Sequence, residues 1–396
     1  MASQPILYFS SLTGQQGGAE RRLLQLVREV RDAGRFRPLV VLPAAEGIAE
    51  RYRAEGIPLC TFPFRRMRRT WNLLYHLGYC LDFIRSSIRL LGLIRREKVV
   101  LVHVNDVSEL QGLLAATLVG IPAVAHVRYI LEQPLAARLL AGLCYHGADH
   151  LVCISHAVRR AMFPAEARSQ KISVLHDPVP DVSRHEPGNE ALRREVRARL
   201  GIAPDAFVIG MISKFVDRKG HRNFVELAAE LARLGFHDFR YLMVGGKVEG
   251  YEKYYDGIRA FIHRNGLDSS MVLTGYEHDI TGMLEAMDVF VHLPDWEEAL
   301  GAVVMEAMAV EKPVVAFDCG GIGELIADRQ TGCLVPKGDI AAVASRIVEL
   351  HSDPLRRRTM GRRAREALLR EFSLGRYIQD VHKLYDSLLV GVRAQR

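Results

Sequence analysis

Short β-branched apolar runs alternate along this chain with longer segments whose apolar residues recur at helical spacing, the pattern of parallel α/β layers. In the first half, strands are predicted at residues 6–10, 38–42, 58–62, 99–104, 123–127 and 150–154, with helices between them. The pattern then breaks. Residues 177–201 turn polar and carry Pro178, Pro180, Pro187 and Gly188 before a short basic helix, which marks the predicted linker. Alternation resumes with strands at 207–213, 239–244, 271–274, 289–292, 313–317 and 333–335, followed by helices at 354–370 and 373–389. Two similar α/β halves are expected, with a ligand between them at the carboxyl ends of their strands.

Length and composition agree with that division. A chain of 396 residues is long for one hydrophobic core, and 49% hydrophobic content with interspersed charge is that of a globular protein. The longest uncharged apolar run, 110–127, is divided by Gly120, Ile121 and Pro122 into a helix and a short strand, so no transmembrane segment is expected. The first ten residues read as a buried strand, lacking the basic start and apolar run of a signal peptide. Six cysteines are scattered without a Cys-x-x-Cys pair, which fits reduced core thiols and a cytoplasmic protein. The formal charge of +7 favours an anionic partner and leaves nucleic acid, phosphates and anionic lipid open.

Candidate chemistry concentrates in residues 295–318, where Glu298 precedes Gly301 and Glu306 follows inside a helical pattern. Two carboxylates eight helical positions apart stand about 12 Å apart and about 80° off one face. Glycoside hydrolysis needs its pair about 5 to 9.5 Å apart across one bond, so an acid and nucleophile pair is not the reading. A helix starting near Gly301 instead leaves Glu298 in the loop and Glu306 about one and a half turns in, each able to accept from a hydroxyl. A ligand with two groups of hydroxyls, such as a nucleotide sugar, fits; an amphipathic helix with both acids facing water is the alternative. Lys214, Arg218 and Lys219 precede Gly220 and a helix, a setting suited to a diphosphate, though a solvated basic loop has the same composition.

Gly17 and Gly18 sit in the turn between the first strand and first helix, where they permit close approach of a ligand or simply a tight turn; G-x-G-x-x-G is not matched. His103 and His126 lie near the ends of predicted strands, where a histidine can serve a sugar hydroxyl or a leaving phosphate, or be structural. No His-x-x-x-His or carboxylate cluster supports a metal site. Gly320, Gly321, Gly323 and Glu324 form another strand-to-helix turn whose amides can serve an anion or a ribose. Arg65, Arg66, Arg68 and Arg69 beside Trp71, followed by an apolar run over 73–93, can hold one face against anionic lipid; a nucleic-acid groove or a solvated helix edge are the alternatives.

Together these residues resemble the retaining glycosyltransferases of family 4, whose GT-B fold is two facing Rossmann-like domains across a deep cleft. The resemblance rests on the E-x7-E pattern of Glu298 and Glu306, on KPVVAFDCGGIGELI and TGCLVPKGD after it, and on GGAE at 17–20, ISHAVRRAM at 154–162 and the Lys219-Gly220 pair, in that family's order. It implies domains at 1–183 (acceptor side) and 184–372 (nucleotide-sugar side), and a C-terminal helix at 373–396 packing back on the first. Lys219 would contact the diphosphate, with Lys214 a second cation, and Glu306 the ribose. Glu298 with the amides of Ala299, Leu300 and Gly301 would hold the donor sugar, Gly17 and Gly18 would approach the phosphates or sugar, and His126 would sit near the reacting sugar.

The resemblance further implies a metal-independent hexosyltransferase with no cofactor. The preferred reading is a UDP- or GDP-sugar donor and a glycan or lipid-linked acceptor, with no nucleic-acid partner and with peripheral contact at the inner face of an anionic membrane resting on the basic, aromatic segment at 65–71. Three positions depart from the family's pattern: Ser213-Lys214 where it reads G-R, Glu311 where a helix-ending glycine is common, and Asp177-Pro178 where N-G is common. A nucleotide-sugar epimerase, a sugar phosphorylase of related architecture, or a basic nucleic-acid or lipid-binding module are the competing readings.

Overall fold

The computed structural model describes residues 3–11, 18–67, 72–166, 169–179 and 187–395, with side chains as far as residue 390. Gly17, Arg68, Arg69, Trp71 and Pro180 lie outside the described residues. The chain divides into two compact units, Met1–Pro178 with Leu374–Arg396 and Val179–Ser373.

The first unit runs β1 (Gln4–Phe9), α1 (Gly18–Asp32), β2 (Phe36–Leu42), α2 (Ile48–Ala54), β3 (Leu59–Thr61), α3 (Leu73–Arg96), β4 (Leu101–Val104), α4 (Leu110–Val119), β5 (Ala123–Val127), α5 (Pro134–Gly147), β6 (His150–Cys153), α6 (His156–Met162) and β7 (Ile172–Val174). The strands form one parallel sheet in the order β3-β2-β1-β4-β5-β6-β7. Its central strands are apolar without alternation, as in Ile6-Leu7-Tyr8-Phe9, because helices cover both faces, and all four side chains are fully buried. The run over 110–127 is a helix and a strand because Gly120 closes α4 in the left-handed conformation at φ 74°, its N–H returned to the carbonyls of Ala116 and Thr117.

The second unit contains α7 (Glu190–Arg199), β8 (Val208–Ile212), α8 (His221–Arg233), β9 (Arg240–Val244), α9 (Glu252–Arg264), β10 (Met271–Gly275), α10 (Ile280–Ala286), β11 (Val289–His292), α11 (Ala302–Ala309), β12 (Val314–Phe317), β13 (Cys333–Val335), α12 (Ile340–Ser352) and α13 (Pro354–Glu371). Its parallel sheet has the order β10-β9-β8-β11-β12-β13. The basic helix of the predicted linker, α7, packs on α10 as part of this unit. Arg197 on it is fully buried yet satisfied, donating to the carbonyls of Ala286, Pro204 and Ala206 and to Asp288 Oδ2 at 2.8 Å.

The last helix, α14 (Leu374–Gln395), returns to the first unit, where Tyr377, Ile378, Val381 and Tyr385 join the core beneath α1 and β1. Each predicted strand appears with its ends within two residues of expectation, so the fold is the α/β pair of Rossmann-like units that the periodicity implied. The strand that periodicity missed is β7, a three-residue edge strand too short to show alternation. Glu311, standing where a helix-ending glycine is common, itself takes the left-handed conformation at φ 57°, and Gly361 packs against its carbonyl. Among the described residues no helix is long and apolar enough to cross a membrane, and all six cysteines are free.

Candidate active site

In the second unit, successive strands build outward from β8 through β9 to β10, and the chain then returns to place β11 on the other side of β8. Loops leaving β8 and β11 therefore depart in opposite directions and open a crevice at the carboxyl end of the sheet, the usual ligand position in such folds. The two loops carry Lys219 and Glu298.

The loop after β8 turns through Asp217–Lys219 and reaches Gly220, which adopts φ 76° at the start of α8. A Cβ there would lie 1.7 Å from the carbonyl oxygen of Leu293 in the neighbouring loop, so only glycine allows the two loops to touch. Asn223 ties them further, donating to Leu293 O and Asp295 Oδ1, each at 2.8 Å. His221, the first residue of α8, is buried and stacked at 4.2 Å on Phe215; burial, with Lys219 nearby, pushes it down to about 4, so it is neutral at pH 7.

Lys219 Nζ donates to Glu298 Oε1, and His292 Nε2, at the end of β11, stands 3.7 Å from the same oxygen. Burial alone would raise the Glu298 carboxyl, but the Lys219 ammonium and His292 outweigh it and hold the group well below the usual carboxylate range. The backbone of Glu298 is fixed from behind by the turn after β12. Gly321 N donates to Glu298 O at 2.8 Å and Gly320 N to Glu297 Oε2 at 2.5 Å. A Cβ on Gly320 would come within 2.0 Å of Glu298 O, and one on Gly321 within 2.3 Å of Ala299 O. Of the turn whose amides can serve an anion or a ribose, those of Gly320 and Gly321 hold the Glu298 loop, and these two glycines are needed because backbone packs on backbone.

Ala299 and Leu300 lead into Gly301, which adopts φ 85° and caps α11. Glu306 lies half-buried on the second turn of that helix. Lys214 is exposed just past β8 and makes no ion pair among the described residues. The structure thus joins Lys219 directly to Glu298, places Ala299, Leu300, Gly301 and Glu306 on the continuation of the Glu298 loop, and leaves Lys214 at the surface.

The first unit repeats the arrangement, with β1 and β4 adjacent at the reversal point. Glu109, at the entry to α4, accepts from Ser11 N at 2.6 Å and Asn105 N at 2.7 Å, bridging the loops after these strands. Burial and the neighbouring Asp106 push Glu109 up to about 8. His103 on β4 and His126 on β5 lie with ring centroids 5.4 Å apart. His103 Nδ1 is 2.7 Å from Tyr385 Oη.

His126 is fully buried, and Arg128 Nη2 approaches its Nδ1 at 3.3 Å. A guanidinium only donates, so Nδ1 accepts and Nε2 carries the proton. That Nε2 has no hydrogen-bond partner among the described residues. Burial, Arg128 and His103 hold the ring well below 6.5, so it is a neutral donor over the physiological range. Arg128 is anchored by a buried ion pair to Asp177, the residue standing where N-G is common. Gly18 opens α1, and a Cβ on it would meet nothing within 4 Å among the described residues.

Sequence reasoning missed His292, Glu109, Arg128 and Asp177. His292 ends a predicted strand just as His126 does and was open to the same argument; the others acquire partners only through tertiary contact. Among the described residues no cluster of three or more His, Cys, Asp or Glu side chains is arranged to hold a metal.

Two family models share the chain between them. Glycosyltransferase Family 4 matches residues 16–181, and Glycosyl transferases group 1 matches residues 193–367. The chain is 27% identical over 279 residues to the alpha-D-kanosaminyltransferase of Streptomyces kanamyceticus, covering 66% of this chain and 69% of that protein. It is 25% identical over 329 residues to the UDP-Gal:alpha-D-GlcNAc-diphosphoundecaprenol alpha-1,3-galactosyltransferase of Escherichia coli, covering 78% and 80%. In structure it is similar to the Anabaena protein HepE crystallised with UDP and glucose, with a TM-score of 0.82 at 24% identity over 96% of this chain and 99% of that one.

Proposed function

We propose that this chain, which belongs to the GT-B glycosyltransferases of the family 4 type, moves a hexose from a UDP- or GDP-sugar to a lipid-linked or polysaccharide acceptor, with retention and without a metal. The observation that carries this reading is the Lys219–Glu298 pair at the reversal point of the second sheet, beside the start of α8. An arriving diphosphate competes for Lys219 and faces the free amides of α8; the carboxylate it displaces then accepts from the donor sugar. Glu306 is assigned to the ribose hydroxyls. Lys214, exposed on the same loop, is a second cation for phosphate.

In the reaction, the acceptor oxygen bonds to the anomeric carbon on the face from which the sugar–phosphate bond breaks, and the acceptor proton passes to the departing phosphate oxygen. Lys219 and the helix amides offset the charge that develops on the leaving group. His126, neutral and with its Nε2 proton uncommitted, is assigned to a hydroxyl of the reacting sugar, and Gly18 to close approach of the donor. The Escherichia coli relative, by its name, uses UDP-galactose and a diphosphoundecaprenol-linked sugar, which supports this donor and acceptor class; the inner face of the cell membrane is the place of action proposed with it.

The test is incubation with a panel of UDP- and GDP-sugars and a lipid-linked acceptor, in the presence and absence of EDTA. Expected are stoichiometric release of the nucleoside diphosphate, an α-linked product from an α-linked donor, and no effect of EDTA. Epimerised donor without transfer would overturn the proposal, and so would salt-sensitive duplex binding without donor affinity.

A further inference from the structure

The strongest feature outside the candidate site is an apolar face on the first unit. On α3, Leu74, Leu77, Leu81, Ile84 and Ile88 follow each other at alternating steps of three and four residues, so they form one stripe along about four turns. They point outward: Leu74 is 78% exposed and Ile88 62%. Leu114 and Leu118 on α4 and Leu135, Leu139 and Leu143 on α5 are exposed as well. These helices are packed side by side, α3 on α4 and α4 on α5, so the leucines belong to one surface three helices wide. In the second unit, by contrast, exposed large hydrophobics such as Leu234 and Leu355 are scattered. Soluble monomers rarely expose contiguous apolar patches beyond a few hundred Å² (~300–600 Å²), and larger ones mark contact surfaces.

The charges around this face choose its occupant. Arg85, Arg89 and Arg95 are exposed along α3 and Arg138 on α5, while Arg96 at the end of α3 is paired with Glu97 at 3.2 Å. The acidic residue of α3, Asp82, is paired with Arg65 at 2.8 Å. A second copy of this chain would meet the face through the same patch on both partners, setting two equally basic surfaces against each other. A bilayer with anionic headgroups instead receives the leucines in its acyl boundary and the arginines among its phosphates. In a parallel α/β unit the helix amino ends lie at the carboxyl edge of the sheet, so Leu73 and Leu74 of α3 and Leu135 of α5 lie at the edge that carries His126.

We infer that the outer surface of α3, α4 and α5 docks on an anionic lipid bilayer, with the leucines inserted and the arginines on the headgroups. This deepens the proposed function and rests on its lipid-linked acceptor, which would then be met at the edge of the unit that touches the membrane.

The test is flotation of the full chain with vesicles of phosphatidylcholine alone and of equimolar phosphatidylcholine and phosphatidylglycerol. Leu74→Glu/Leu77→Glu and Arg85→Glu/Arg89→Glu variants are run beside the parent, together with sizing on a column and UDP-induced thermal shift. The expected result is flotation with the anionic vesicles, weakened about tenfold or more by either pair of substitutions, with the thermal shift and a monomeric size unchanged. Absence of flotation by the parent would overturn the inference, as would a dimer that Leu74→Glu/Leu77→Glu converts to monomer. The thermal shift separates the two claims: its absence from a chain that floats refutes the donor reading alone, and its presence in a chain that does not float refutes the docking face alone.

Discussion

Replacing Lys219 by methionine keeps the length of the side chain and removes its charge, leaving Glu298 beside His292 with a side chain that is only 15% exposed. An orphaned charge in a fully buried pair costs about 3–5 kcal/mol. Lys219 is itself 31% exposed, so solvent screens part of the interaction and about 2–3 kcal/mol is expected. For a unit of this size that corresponds to a fall in Tm of about 4–12 °C. The same change removes a charge-assisted contact to phosphate, worth about 1.5–3 kcal/mol, and weakens donor binding about 10- to 150-fold.

Stability and binding separate in the double variant Lys219→Met/Glu298→Gln. With no charge left to compensate, its melting temperature returns most of the way to the parent's, while donor affinity stays low. Acid titration gives a third reading, because a depressed carboxyl contributes stability above its unfolded value of 4.5 and loses it as pH falls through its lower folded value. Losing Lys219 raises the folded value, so the acid limb moves to higher pH. Differential scanning calorimetry and titration calorimetry with UDP-sugars measure all three. A Lys219→Met protein that melts and binds donor like the parent would refute the reasoning, as would a double variant no more stable than the single one.

His126→Ala removes one neutral hydrogen bond to the reacting sugar, worth about 0.5–1.5 kcal/mol, and is expected to lower kcat/KM by about 2- to 12-fold; and because burial holds the ring below 6.5, the parent's pH–rate profile should show no limb from it between about pH 6 and 8. Gly320→Ala places a methyl about 2.0 Å from Glu298 O at a backbone φ of 58°, and should cost about 2–4 kcal/mol in thermal unfolding and displace Glu298 enough to weaken donor binding. Glu109, pushed up to about 8, holds its proton more tightly folded than unfolded, so the parent should lose stability as pH rises from 4.5 toward 8 and then level off; unfolding titrations of Glu109→Gln should show a flatter slope over that window, and an unchanged slope would remove Glu109 as its source.

Most of the architecture was legible because parallel strands buried on both faces read as unbroken apolar runs, and because Gly120 with Pro122 announces its own break. β7 was not legible, since three residues at a sheet edge carry no period. In the site, Lys219, Glu298 and Gly301 could be named from loop position and glycine placement alone. Their contact could not, because it depends on β11 being laid beside β8 rather than β10, a pairing of strands far apart in sequence. The glycine pair at 320–321 was seen and misread, since ligand-facing and backbone-facing glycines look alike until Glu298 O is found where a Cβ would stand. Arg128 and Asp177 were invisible as partners for the same reason, being joined only through the fold.

A crystal structure of the chain with a non-hydrolysable UDP- or GDP-sugar tests the central claim most directly. The account requires the diphosphate against Lys219 and the first turn of α8, with the Lys219–Glu298 contact broken and Glu298 accepting from the sugar. Nucleotide bound elsewhere, with that ion pair intact, would contradict it.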